Sequence, residues 1–150
     1  MTKISWGRLF IGGLIAAVIL FLTDGLLHEK LVKEYWQYLY QGLGARPPEA
    51  HNLSMVYFFM FELGRAFAAI LFYVLMRPFY GAGPKTAVIS AIAAWFVCSV
   101  TGPAEFIPLG FYGRRLWVIV AGFQLVTSIV ANLIAAWLYR DPVTTAVPAE

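Results

Sequence analysis

The chain has 150 residues, of which 61% are hydrophobic and 17% aromatic but only 13% charged, against ~25% charged in ordinary soluble domains. Such a composition excludes an ordinary water-soluble domain and points to the membrane. The net charge of +3 comes from basic residues spread over every loop, with no patch interleaved with aromatics, and this argues against nucleic acid as a partner.

Three stretches, residues 9–23, 86–104 and 116–139, carry no charge at all. A fourth apolar stretch, residues 54–76, carries Glu62 and Arg65 near its middle. Crossing ~30 Å of hydrocarbon takes ~20 mostly apolar residues, so the expected spans are 4–27, 54–77, 84–102 and 115–139. The chain reads as one integral membrane domain over residues 1–150, an all-α bundle of four transmembrane helices.

The apolar run of helix one is preceded by Lys3 and Arg8, as in a signal peptide. No small-residue cleavage site follows, and the expectation is an uncleaved helix. Gly12, Gly13, Ala16 and Ala17 offer a small-residue surface for close packing. The following KLVKEYWQYLYQ, residues 30–41, mixes charge with Tyr35, Trp36, Tyr38 and Tyr40 and predicts an amphipathic helix at headgroup level. Pro47 and Pro48 make residues 44–52 a turn.

Asn52 or Ser54 suits the cap of helix two, which is expected to stop at Arg77, because a residue before proline is steered out of helical geometry. Pro84 suits the first turn of helix three, and Gly102-Pro103 is expected to break it. Residues 103–113, PAEFIPLGFYG, are too rich in proline and glycine for a straight helix and suggest a segment folding back at the surface. In helix four, Gln124, Thr127, Ser128 and Asn132 recur at intervals of three and four, a stripe that should face the bundle. Residues 141–150 read as a short mobile tail.

Charge at the centre of a bilayer costs at least ~2.5 kcal/mol, so Glu62 and Arg65 should face the interior and find partners there. At 1.5 Å per residue they lie about 12 and 16 Å below Ser54. Alternating crossings bring Asp24, Glu105 and Gln124 toward the same side. The expected intramembrane polar cluster is therefore Glu62, Arg65, Gln124, Asp24 and Glu105, at the floor of a vestibule rimmed by His28, His51, Arg114 and Arg115.

Glu62 and Arg65, three apart, can pair across one helical turn, which would lock helix packing. A proton or anion site is the competing reading, with burial and pairing pulling the carboxyl in opposite directions. Asp24 and His28 share a face, but neither H-x-x-x-H, H-E-x-x-H nor a cysteine cluster is present, and no metal is expected. Cys98, inside the third span, reads as a small buried hydrophobe. Serine-nucleophile, phosphate-loop and dinucleotide motifs are absent, so no catalytic residues and no enzymatic activity are expected. No cofactor is expected either, although a bound lipid, quinone or haem-like pigment beside His28 or His51 stays open.

Three segments, WGRLFIGGLIA (6–16), RPFYGAGPKTA (77–87) and AWLYRD (136–141), carry a resemblance to an uncharacterised family of small bacterial four-helix integral membrane proteins. That resemblance implies a bacterial inner-membrane location and a polar residue late in helix one, a part Asp24 would play. It brings no activity with it. Basic residues fall five on each side of the expected bundle, and the two preceding helix one favour cytoplasmic termini. The functional expectation is an accessory or interaction subunit of a larger membrane complex, in contact with lipids, with membrane-protein partners or with a second copy of itself. The alternative is a small transporter or lipophilic-ligand binder using the vestibule.

Overall fold

The computed structural model describes residues 4–43, 52–111 and 113–139, and among them every regular element is helical. Helix α1 covers Trp6–Leu26 and runs into a π-helical turn at Leu27–Leu31; α2 covers Lys33–Leu43 and α3 Asn52–Tyr80. Helix α4 covers Pro84–Trp95 and passes through a π-helical stretch, Phe96–Thr101, into the single turn α5, Gly102–Ala104; α6 covers Arg114–Leu138. Four of these units, Trp6–Leu31, Met55–Tyr80, Pro84–Ala104 and Arg114–Leu138, are long and apolar enough to cross a membrane.

The four long helices form a ring. Helix α1 packs on α3 and α6, and α4 packs on the same two from the opposite corner. Each contributes a buried stripe at three- and four-residue spacing: Leu9, Gly12, Gly13, Ala16, Ala17, Leu20 and Asp24 on α1, with Thr86, Ala87, Ser90, Ala91 and Ala94 on α4. The small-residue surface of α1 does what its composition suggests. A Cβ on Gly12 would sit 3.1 Å from the Ala135 carbonyl oxygen of α6, and one on Gly13 would sit 3.0 Å from the Phe67 ring of α3.

Polar and charged groups sit within the core of the bundle while apolar side chains cover its outside. Its buried set includes Asp24, Glu62, Arg65, Gln124 and Asn132, whereas Phe10, Leu14, Val18 and Leu22 form an exposed stripe at intervals of four along α1. Water as solvent would favour charged groups on the outside; hydrocarbon as solvent favours turning them inward and leaving the apolar stripe outside.

Helix α2 is amphipathic as expected. Its Tyr35 and Trp36 pack on a second apolar cluster built from Leu27, Val32, Leu116 and Val120, while Lys33, Glu34, Gln37 and Tyr38 are exposed. Trp36 Nε1 donates to His28 Nδ1 at 2.8 Å, tying α2 back to the end of α1.

Two expected helix ends are displaced. Helix α3 passes Arg77 and includes Pro78, because so near the end a missing N–H disturbs only the last turn. The stop comes at Gly81, whose N–H donates to the Arg77 carbonyl at 2.9 Å and whose φ of +81° is the left-handed conformation that glycine supplies at helix C-termini. Gly102-Pro103 likewise fails to break the third span. The backbone widens into π geometry just before it and stays helical to Ala104, and in a locally wide register a missing proline donor leaves less of a gap. Residues 105–111 form locally bonded turns, with Phe106 N–H on Pro103 O and Phe111 N–H on Phe106 O. Of the expected turn at 44–52, Asn52 already belongs to α3, and its other residues, like the tail at 141–150, lie outside the described residues.

Candidate functional site

Helix α1 brings Asp24, α3 brings Glu62 and Arg65, and α6 brings Gln124 to one point in the bundle, all of them buried. Each lies on the core stripe of its own helix, so the same periodicity that buries the alanines buries these groups. Counting from the membrane-spanning start of α3 at Met55, Arg65 is about 15 Å in, at mid-depth.

The Arg65 guanidinium organises the cluster. Nη1 donates to Asp24 Oδ2 at 3.2 Å and Nη2 to Asp24 Oδ1 at 3.4 Å, a fork-on-fork arrangement suited to carboxylate recognition. Nη2 also lies 3.0 Å from Glu62 Oε2, yet among the described residues that oxygen has no hydrogen-bond partner of acceptable geometry. The Glu62 contact is thus one of charge, and the directional bonds go to Asp24. Gln124 Nε2 donates to the same Asp24 Oδ2. The guanidinium carbon sits 5.9 Å from the centre of the Phe61 ring, which adds a cation–π contact.

Two carboxyl groups therefore share one guanidinium. With both ionised, the cluster carries one uncompensated negative charge; with one protonated, it is neutral.

Toward the other end of the bundle the polar stripe of α6 continues. Asn132 Nδ2 donates to the Ala87 carbonyl and to Ser90 Oγ, each at 2.8 Å, joining α6 to α4. Next to this pair lies a cavity of about 10 Å³, lined by Ala16, Leu20, Arg65, Ala66, Ser128 and Asn132 among others. That is about the room one water needs.

Of the expected cluster, Asp24, Glu62, Arg65 and Gln124 come together. Glu105 does not: it sits in the turn after α5 and is exposed, because the third span stays helical past Gly102 and carries it clear of the core. The expected rim is also dispersed. His28 is half-buried and occupied by Trp36, while Arg114 and Arg115 are exposed, Arg115 lying 5.6 Å from the centre of the Tyr35 ring. His51 lies outside the described residues. Among those residues no group of three or more His, Cys, Asp or Glu gathers as a metal site.

The pairing of Arg65 with Asp24 was not evident from spacing, since the two are 41 residues apart. The signal lay in depth: Asp24 and Arg65 are both charged residues on otherwise apolar stripes. Asn132 with Ser90 follows the same logic.

This fold and this cluster define a multi-pass α-helical membrane protein with a charged interior. No family model matches the chain, and no curated protein or solved structure is detectably similar to it.

Proposed function

We propose that this protein is a non-enzymatic accessory or interaction subunit of a larger membrane complex, with the charged cluster acting as an internal fastener. The observation that carries the reading is how the charges are spent. Arg65 and Gln124 are bonded to Asp24, so α1, α3 and α6 are clamped together, and the adjoining cavity of about 10 Å³ is far below ligand size. The outer surface, including the exposed side of α2, is then the face offered for interaction.

Purification from native membranes in a gentle detergent, followed by mass spectrometry of co-purifying proteins and small molecules, tests this. Stoichiometric protein partners are the expected result. A solitary protein carrying a lipid, quinone or pigment would overturn it.

A second reading is favoured by one specific feature, the odd carboxyl. Two carboxyl groups on one guanidinium form a site that can take up and release a proton, which a small proton-coupled transporter would need. Under this reading Glu62→Gln abolishes a proton-dependent flux in reconstituted vesicles while the fold persists; under the first it alters only stability or assembly.

A further inference from the structure

Three buried polar side-chain atoms, one on α3 and two on α6 across the ring from it, lack hydrogen-bond partners among the described residues: Arg65 Nε, Ser128 Oγ and Asn132 Oδ1. All three residues line the same cavity of about 10 Å³. Buried polar atoms are rarely left unmatched, and a cavity that holds water is one whose walls provide two to four polar partners. These two observations are independent, one of geometry and one of bonding, and they coincide at a single place.

We propose that the cavity is a binding site for one structural water. The Arg65 Nε–H donates to the water oxygen, and the water's two hydrogens go to Asn132 Oδ1 and Ser128 Oγ. Its three bonds match the usual number for a buried water. The remaining walls, Ala16, Leu20, Ala66, Ala69, Ala94 and Ala131, offer only apolar surface, so these three groups set its position.

The water joins two networks that direct contacts leave separate. On one side is the cluster of Asp24, Glu62, Arg65 and Gln124; on the other, Asn132 with Ser90 and the Ala87 carbonyl. With the water in place, α1, α3, α4 and α6 share one hydrogen-bonded network through the middle of the bundle. The alanine side chains around the site are small enough to leave this space, whereas the α6 stripe holds both the hydroxyl and the amide that use it.

The test turns on the sign of a stability change. In a dry cavity Ser128 Oγ is an unsatisfied hydroxyl, and Ser128→Ala removes that penalty, raising the unfolding temperature of the purified protein. With the water bound, the same variant deletes one of its three partners, and the unfolding temperature falls. The second measurement is spectroscopic: in nitrogen-15-labelled protein in nanodiscs, the Arg65 Nε–H should show a cross-relaxation peak to a long-lived water. A lowered unfolding temperature with that cross-peak is expected. A raised temperature, or an Arg65 Nε–H with no water contact, overturns the proposal.

Discussion

Arg65 is the residue on which the interior depends. Its side chain is buried to 1% exposure and its guanidinium meets two carboxyl groups. Removing one partner of a buried ion pair costs about 3–5 kcal/mol because the remaining charge is stranded. Arg65→Met should therefore lose stability on that scale, read as the midpoint of thermal or denaturant unfolding in detergent. Arg65→Lys should recover only part of it, since a single ammonium cannot fork onto Asp24 while also touching Glu62. Gln124→Leu removes a neutral donor from an acceptor that keeps its Arg65 bonds, so a milder loss of ~1–3 kcal/mol is expected. An Arg65→Met variant as stable as the parent would show that the cluster is not a fastener.

At the scale of elements, glycine contacts and π turns set how the helices meet. The Ala135 carbonyl facing Gly12 is backbone and cannot swing away, so Gly12→Val should destabilise by ~1–3 kcal/mol, as overpacking does. Gly25 lies on the same helix with open space where a Cβ would go, and Gly25→Ala should be neutral or stabilising by up to ~1 kcal/mol through helix propensity. Equal effects at both positions, measured by unfolding in one detergent, would refute close α1–α6 packing. The two π segments shift register in the same way. Buried positions on the third span step by three and four through Ala94 and then by five to Ser99, leaving Cys98 only half-buried; those at the end of α1 step from Leu27 by five to Val32. One extra residue per wide turn re-aims the chain after it.

The whole molecule has two distinct ends. At one, Ser5 N–H donates to the Tyr139 hydroxyl at 3.0 Å, the Arg77 guanidinium carbon lies 5.2 Å from the centre of the Tyr139 ring, and the 81–83 loop follows. At the other are α2, the 105–111 turns and the start of α6. In a Cys98→Ala background, Lys85→Cys and Leu109→Cys should therefore be labelled by a membrane-impermeant thiol reagent from opposite sides of sealed vesicles. Labelling of both from one side would exclude four crossings.

The four spans, the amphipathic α2 and the inward stripe of α6 were legible in the sequence, because hydropathy and helical period are local properties and hydrocarbon requires every backbone group to be bonded within its own helix. So was the burial of Glu62 and Arg65, since a charge that deep has nowhere else to go. Tertiary structure alone decided that Arg65 takes Asp24 as its directional partner, that Asn132 reaches Ser90, and that Glu105 stands outside the cluster. Those outcomes depend on which helices are neighbours and on how far each is rotated. A five-residue step at one π turn changes that rotation while leaving composition and hydropathy the same, and for that reason no local pattern announced it.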